Sequence, residues 1–141
     1  MKVSRYMTQK LITATPAMTV KQAFLLMGSN RVRHIPVVEK DELVGIISDR
    51  DLRRPRWAED MDDWTSYYQV DDNPTVDDVM TRSPETVRAS DEIRKAVAIF
   101  RDQRYGALPV LNKDGELIGI LSAQDLLGAL DELLEKVGQK G

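Results

Sequence analysis

Hydrophobic residues recur at helical spacing in two stretches of the chain. Each stretch predicts an amphipathic helix, because apolar residues spaced i, i+3, i+4 and i+7 share one face. The two sets are Val20, Ala23, Phe24 and Met27, and Ile93, Ala96, Val97 and Phe100. Thr19 and Gln22 have the spacing of a capping box at the first helix. Ser90 or Asp91 is the expected cap of the second.

Short aliphatic or β-branched runs lie on both sides of each predicted helix and predict strands. The runs are residues 11–15, 35–38 and 43–47 around the first helix, and 85–88, 108–111 and 117–121 around the second. Turn-forming residues separate the last two runs at 39–42 and at 112–116, and the latter contains an Asp-Gly hairpin signal. Pro36 and Pro109 lie inside runs, which favours an edge strand or a strand start.

The two sets of elements arise from an internal repeat. Sliding the chain by 73 positions places YMTQKLITATPAMTVKQAFLLM over VMTRSPETVRASDEIRKAVAIF, and RVRHIPVVEKD over RYGALPVLNKD. One insertion, Gly115, then aligns ELVGIISDRDL with ELIGILSAQDL. This similarity indicates a duplication with repeats 1–54 and 74–130. The predicted fold is α/β, an α+β sandwich of two β-α-β-β-α repeats, which pack as a pair because one repeat cannot cover its own sheet.

Two segments lie outside the repeats. The connection, residues 55–73, is acidic and contains four large aromatic side chains, Trp57, Trp64, Tyr67 and Tyr68. A flexible linker seldom carries such residues, so we expect them to pack on the domain or in a dimer contact, with a ligand pocket as the alternative.

The tail, residues 131–141, is predicted to extend the last helix, with Leu133 and Val137 available for a dimer or partner contact.

Composition narrows the function classes. The 141 residues carry a net charge of −3, which argues against non-specific binding to nucleic acid. The chain has no cysteine, which excludes disulfides, thiolate catalysis and thiolate metal sites, and we expect no bound metal. It has neither a signal-peptide pattern nor an apolar stretch long enough for a membrane span, so we expect a cytoplasmic protein.

The repeated motifs resemble those of CBS domains. Each repeat has Met-Thr near its start, and the first has RHIPVV in a strand and GIISDRD at its end. The pair resembles a Bateman module, and its acidic aromatic linker resembles that of stand-alone CBS pairs of the acetoin-utilisation type. The resemblance implies a pseudo-twofold pair of packed sheets with a cleft on each side of the axis, and a homodimer. It also implies a regulatory, energy-sensing role, in which AMP, ADP, ATP or S-adenosylmethionine is bound and its state is reported to a partner protein.

The phrase GIISDRDL recurs as GILSAQDL and has a chemistry of its own. Its glycines, Gly45 and Gly119, lack a Cβ, so the strand can pass close to another backbone or to a ligand.

Serine and aspartate follow in both phrases. Ser48 and Ser122 precede a predicted helix whose N-terminal N–H groups attract phosphate, and the carboxylates of Asp51 and Asp125 can accept hydrogen bonds from two ribose hydroxyls. In the resembling family, the Ser or Thr and the Asp have these roles. The alternative is a capping box, in which the serine caps the helix and the aspartate reaches back. Capping and ligand binding can coexist, since several N–H groups are available at the start of the helix.

An adenine requires an apolar slot edged by backbone hydrogen-bonding groups. The resemblance places that slot at the first β run and the proline-containing strand, where plain core packing is the alternative for each aliphatic side chain. The predicted nucleotide-binding residues are Ile12, Thr13, Arg33, His34, Ile35, Pro36, Ser48, Arg50 and Asp51 in the first repeat, and Thr86, Val87, Ala107, Leu108, Pro109, Ser122, Gln124 and Asp125 in the second.

The two predicted clefts differ in charge. The first repeat contains Arg31, Arg33, His34, Arg50, Arg53 and Arg54, whereas the second offers Arg104, Gln124, Gly106 and Ala107. We expect the first cleft to favour the more highly phosphorylated nucleotide, because guanidinium groups match phosphate. A solvated face, or pairing with the acidic linker, is the alternative. His34, the single histidine, is a phosphate contact, a pH switch or a structural residue.

A regulatory nucleotide-binding module that acts on a partner protein is the favoured function, and a ligand-free dimerisation scaffold is the alternative. We expect no enzymatic activity and no catalytic cofactor. The chain offers no set of nucleophile, base and orienting residue, and no Walker or Rossmann glycine pattern.

Overall fold

The structure is a computed structural model that describes residues 1–53, 74–103 and 105–140. Its elements, in chain order, are α1 (Val3–Tyr6), α2 (Val20–Asn30), β1 (His34–Glu39), β2 (Glu42–Ser48), α3 (Asp49–Arg53), α4 (Val76–Val79), β3 (Thr81–Arg82), β4 (Val87–Arg88), α5 (Ile93–Gln103), β5 (Ala107–Leu111), β6 (Leu117–Ser122) and α6 (Ala123–Lys140). This mixture of helices and small sheets confirms the predicted fold class. The aromatic linker and its expected packing lie outside the described residues.

The described residues form two compact units that divide the chain differently from the repeats. The first unit is Ile12–Pro84, and the second combines Met1–Leu11 with Glu85–Gly141. Each unit contains one three-stranded sheet, in the order β1-β2-β3 or β4-β5-β6. The opening residues of each repeat therefore belong to the unit that the other repeat builds.

Each unit has its own apolar core, and equivalent positions of the two repeats fill both. In the first unit, β1 and β2 contribute Ile35, Val37 and Ile47, and α4 contributes Val76. In the second, the corresponding residues are Leu108, Val110, Leu121 and Val3. Val3 and Val76 are both 0% exposed, so each exchanged segment supplies a fully buried side chain.

The two long helices of the repeats lie where the apolar spacing predicts them. At the start of α2, the Gln22 N–H donates to Thr19 Oγ1 and the Thr19 N–H donates to Gln22 Oε1, both at 3.0 Å, which confirms the predicted capping box. The predicted cap of α5 is wrong. The helix begins at Ile93, whose N–H donates to the Met1 carbonyl at 2.8 Å.

Asp91 instead closes the turn after β4. Its carboxylate accepts the Arg88 N–H at 2.8 Å and lies 3.3 Å from Lys95 Nζ. Burial raises the pKa of Asp91, but the Arg88 N–H and the Lys95 ammonium together outweigh burial and leave that pKa below its ordinary value.

The first predicted strand of each repeat is shorter than expected. Residues 11–15 form only an isolated parallel bridge between Ala14 and Val37, and β4 covers only the last part of 85–88. The Ala14 N–H donates to the Pro36 carbonyl at 3.0 Å, and the Val38 N–H donates to the Ala14 carbonyl at 2.9 Å. Pro36 therefore faces this run without an N–H, and the ladder cannot continue.

Pro109 is not in an edge strand. Strand β5 is the middle strand of its sheet, so the edge-strand interpretation is wrong there, whereas β1 is an edge strand of its own sheet. The Ala89 N–H donates to the Leu111 carbonyl at 2.9 Å, and Pro109 lies two residues before Leu111 on the same side of β5. Pro109 therefore lies where the pairing with β4 begins, but it is the third residue of β5 (Ala107–Leu111), so the strand-start interpretation is also wrong there.

The hairpins and the tail match expectation. Gly115 has φ +82° in the turn between β5 and β6, and Lys40 and Asp41 have φ of 51° and 63° in the shorter turn between β1 and β2. Helix α6 continues through residue 140, which confirms the predicted extension of the last helix. The sequence reasoning missed the one-turn helices α1 and α4 and the short strand β3.

Candidate functional site

The repeated glycines are places where another backbone passes close to a strand. A Cβ on Gly45 would lie 2.9 Å from the Thr81 carbonyl oxygen and 2.7 Å from Met80 Sδ. A Cβ on Gly119 would lie 2.8 Å from the Thr8 carbonyl oxygen. Of the two explanations open from the sequence, a neighbouring backbone is therefore the one that the structure shows. The neighbour is the Met-Thr pair at the start of the other repeat.

The serine and aspartate of each phrase form a reciprocal capping box. The Asp51 N–H donates to Ser48 Oγ at 3.1 Å and the Ser48 N–H donates to Asp51 Oδ2 at 3.0 Å. The corresponding distances for Asp125 and Ser122 are 3.1 Å and 2.9 Å. The structural alternative considered from the sequence is therefore present in both units. It fixes the orientation of both carboxylates.

Capping leaves fewer N–H groups for a ligand than the sequence led us to expect. The Asp49 N–H donates to the Arg33 carbonyl at 2.8 Å, and the Ala123 N–H donates to the Gly106 carbonyl at 3.1 Å. The N–H groups of Ser48 and Asp51, and those of Ser122 and Asp125, are used by the two capping boxes. At each junction one backbone N–H, that of Arg50 or of Gln124, donates to no acceptor within the described residues.

The start of the preceding strand lies opposite each serine. His34 pairs with Ser48 and Ala107 pairs with Ser122 in the two antiparallel ladders. Directly opposed residues project from the same face of a sheet, so the His34 ring and the Ser48 hydroxyl share a face. The junction in the second unit carries only a methyl group at the equivalent place.

The surroundings of His34 favour its neutral form over its charged form. Burial lowers the pKa of His34, while the carboxylates of Asp49 and Asp51 oppose that change and the Arg33 guanidinium adds to it. Burial prevails, so the pKa lies below the usual value of 6.5. A neutral imidazole can donate to or accept from a ligand oxygen.

The basic residues of the first repeat are exposed where they are described. Arg31, Arg33 and Arg50 lie on the surface, and none forms an ion pair with another described residue. Arg54 and Arg104 lie outside the described residues, as does the side chain of Arg53. Gln124 occupies in the second unit the place that Arg50 occupies in the first, and it is also exposed.

Most of the predicted adenine slot is core. Ile35, Val87 and Leu108 are at most 1% exposed as whole residues, so neither their side chains nor their backbone atoms are open to a ligand in this structure. Ala107, Pro36 and Pro109 are also buried, Ile12 and Thr86 are half-buried, and Thr13 is exposed. A cavity of about 350 Å³ lies at the end of α2 instead and is lined by Phe24, Met27, Gly28, Arg31, Val32, Arg33 and Asp49. It shares only Arg33 with the predicted site.

The structure adds one residue that the sequence reasoning missed. Thr8 Oγ1 lies 3.5 Å from both carboxylate oxygens of Asp125. The signal was present in the sequence, because Met-Thr opens both repeats, but only the structure shows that the pair packs on the other repeat's strand.

Comparison with known proteins identifies the family. A family model for the CBS domain matches residues 3–56 and 76–132. The chain belongs to the CBS domain family. This chain is 33% identical over 140 residues to a CBS domain-containing protein of Dictyostelium discoideum. The match covers 96% of this chain and 94% of that protein.

Solved structures of CBS pairs have the same fold. CBSX2 in complex with AMP is 31% identical, with a TM-score of 0.74, and the match covers 94% of this chain and 97% of that one. CBSX2 is a CBS-pair protein of Arabidopsis thaliana. An acetoin utilization protein of Vibrio cholerae is 26% identical, with a TM-score of 0.76 and coverage of 99% and 96%. These findings confirm the resemblance to stand-alone CBS pairs. Among the helices of the described ranges, none combines the length and apolar character that a membrane crossing requires.

Proposed function

We propose that this CBS pair is a regulatory module that binds an adenine nucleotide and passes its state to a partner protein. The ligand class comprises AMP, ADP, ATP and S-adenosylmethionine, bound at the strand-to-helix junction of each unit. The observation that supports the proposal is the recurrence of one Ser-Asp junction in both units of a chain that is 31% identical to CBSX2, which has been solved with AMP.

The aspartates are suited to a ribose. Each carboxylate is held in place by a serine N–H through Oδ2, at 3.0 Å for Asp51 and 2.9 Å for Asp125. A carboxylate oxygen accepts more than one hydrogen bond, and Asp51 Oδ1 accepts none from the described residues. The two adjacent ribose hydroxyls can therefore donate to an acceptor whose orientation is already fixed.

The phosphate contacts differ between the units. In the first, the Ser48 hydroxyl, the Arg50 N–H and the guanidinium groups of Arg33 and Arg50 supply donors, and His34 shares the face of Ser48. In the second, Ser122 and the Gln124 N–H supply them without a described guanidinium group. We therefore propose that the first site prefers the more highly phosphorylated nucleotide.

Titration calorimetry with Arg50→Ala tests that preference. We expect the variant to lose more affinity for ATP than for AMP, because the triphosphate makes more contacts with the guanidinium. Gln124→Ala, at the equivalent place, is the matched control and should alter both affinities little. Equal losses for ATP and AMP would contradict the preference.

The central proposal is tested by titration with AMP, ADP, ATP, S-adenosylmethionine and NAD(H). We expect Asp51→Asn and Asp125→Asn each to weaken one site by about tenfold or more, because a hydrogen bond to a charged group is replaced by a neutral one. Asp49→Asn is the matched control, since this neighbouring carboxylate has no part in the capping box. If no ligand binds, or if the double Asn variant binds as the wild type does, the proposal is wrong.

A dimerisation scaffold without a ligand is the second candidate. Two observations favour it: both Ser-Asp pairs already satisfy each other as caps, and α6 exposes a row of apolar side chains. The row, which we call the α6 stripe, consists of Leu127, Leu130, Leu134 and Val137. The titration separates the two candidates, because a scaffold would bind none of the nucleotides.

We also propose that the module is a homodimer acting on an effector protein, without catalysis of its own. Spacings of three and four residues along the α6 stripe are those of a helix that packs against another helix. The bound nucleotide is then a regulatory ligand and no catalytic cofactor is required. The cytoplasmic location remains a prediction from the sequence.

A further inference from the structure

The hydroxyl of Thr8 is held in place by the backbone of β6. The Thr8 N–H donates to the Ile120 carbonyl at 2.8 Å, and the Ile120 N–H donates back to the Thr8 carbonyl at 3.0 Å. The absent Cβ of Gly119 permits this approach. Thr8 Oγ1 consequently lies 3.5 Å from each carboxylate oxygen of Asp125.

The aspartates of the two units therefore have different surroundings. Asp125 faces two donors, the Ser122 N–H at 2.9 Å and the Thr8 hydroxyl. Thr81 is the counterpart of Thr8 and pairs with Ile46 in β2, as Thr8 pairs with Ile120. The Thr81 hydroxyl nevertheless makes no hydrogen bond to Asp51 within the described residues, where the Ser48 N–H at 3.0 Å is the donor to that carboxylate.

We infer that Thr8 is a specificity-determining residue that makes the Asp125 site the weaker of the two for a ribose. This inference rests on the proposed nucleotide binding. A ribose diol donates both hydroxyls to the carboxylate, and at Asp125 it must displace or share the hydrogen bond from Thr8. At Asp51 no such donor competes among the residues that the structure describes. The bond is long, so its effect on affinity is modest.

Calorimetry with AMP as the probe tests the inference one site at a time. The Asp51→Asn background weakens the first site, so that a two-site fit resolves binding at the Asp125 site, and Thr8→Val there removes the hydroxyl at nearly constant volume. We expect AMP to bind about 2-fold more tightly than in the background alone, the lower end of the range for one ordinary hydrogen bond, because this bond is long. Thr8→Ser keeps the hydroxyl and should bind as the background does.

The matched control is Thr81→Val in the Asp125→Asn background, which should leave AMP affinity unchanged. A second readout uses 2′-deoxy-AMP, which has lost one of the two donors. The gain from Thr8→Val should be smaller for this ligand, whereas a general loosening of the unit would affect both ligands alike. Urea unfolding confirms that the valine variants remain folded.

The outcomes separate this inference from the proposed function. If both backgrounds bind AMP and Thr8→Val changes neither affinity nor the preference for the ribonucleotide, the role of Thr8 is wrong and the nucleotide-binding proposal stands. An equal gain from Thr81→Val also overturns the role of Thr8. If the wild type binds no AMP, the inference and the AMP arm of the proposed function fail together.

Discussion

At the scale of single residues, Gly45 has little room for a side chain. An added Cβ would meet Met80 Sδ at 2.7 Å, which can move, and the Thr81 carbonyl oxygen at 2.9 Å, which is fixed by the pairing of β3 with β2. We expect Gly45→Ala to lower the free energy of unfolding by about 1–3 kcal/mol, as overpacking does. Urea titration measures the change.

Gly128→Ala is the matched control. It lies inside α6 with nothing within 4 Å of an added Cβ, so the same substitution should stabilise the protein by up to about 1 kcal/mol through helix propensity. Equal changes in the free energy of unfolding at the two glycines would show that β3 does not lie in close contact with β2 in solution.

His34 gives the first unit a pH dependence whose sign follows from its burial. Its pKa in the folded unit lies below the usual 6.5, so the unfolded chain takes up the proton first as the pH falls. The contribution of His34 to the free energy of unfolding is therefore fully present above about pH 6.5 and is lost as the pH falls through the folded pKa. The carboxylates of Asp49 and Asp51 oppose this lowering of the His34 pKa without reversing it.

Urea unfolding from pH 8 to pH 5 measures this dependence. We expect His34→Ala, which introduces the residue found at position 107, to flatten the decline near pH 6. If the free energy of unfolding declines equally steeply in the wild type and in His34→Ala, titratable groups other than His34 cause the decline.

Local chemistry could be predicted at these residues, but the origin of each constraint could not. The Ser-Asp spacing predicts both a cap and a ligand contact, and the structure shows the cap. The glycine in GIISDRDL indicates that another backbone or a ligand comes close to the strand, but the phrase does not reveal which segment that is. Thr8 is 117 residues away from Asp125 along the chain, so no local pattern connects the two.

At the scale of elements, the helices and the central strands follow from spacing that is local in sequence. The apolar period of α2 and α5 and the runs that form β1, β2, β5 and β6 are each complete within a dozen residues. The first strand of each repeat is shorter than the sequence predicts, because its length depends on the neighbouring strand with which it pairs. Pro36 and Pro109 lack the N–H that a longer parallel ladder would need, and this limit is set by residues about twenty positions away.

The α6 stripe yields a prediction about association. Leu134 is 58% exposed within the unit, so burial inside the unit does not account for it. If α6 packs against a second copy, Leu134→Lys should shift a dimer towards monomer, because a charge would be buried in an apolar contact. Sedimentation velocity over a range of concentrations measures the shift.

Gln139→Lys introduces the same charge on the opposite side of α6 and should leave the association unchanged. Because Leu134 makes little contact within the unit, Leu134→Lys should change the free energy of unfolding of the monomer only slightly. A dimer that persists in Leu134→Lys would place the interface on another surface.

At the scale of the whole molecule, the exchange of the opening segments could not be predicted from the sequence. Val3 and Val76 occupy equivalent positions in the two repeats, and both are valine. Either side chain would therefore fit either core, and the sequence is compatible with each repeat folding on itself or with exchange. Only the long-range pairing distinguishes them, through the isolated bridges Lys2–Glu92 and Thr8–Ile120 and the bridge Thr19–Thr75.

The exchange predicts which strands a core mutation loosens. Val76 is 0% exposed in the core of the first unit, so Val76→Ala should destabilise that unit by about 2 kcal/mol through the cavity it leaves. Amide hydrogen exchange should then rise more in residues 34–48 than in residues 107–122, although Val76 belongs to the second repeat. Val3→Ala is the mirror variant and should reverse the pattern, since Val3 lies in the core of the second unit. If each valine instead protects the strands of its own repeat, the opening segments are not exchanged in solution, and Thr8 would then not meet Asp125.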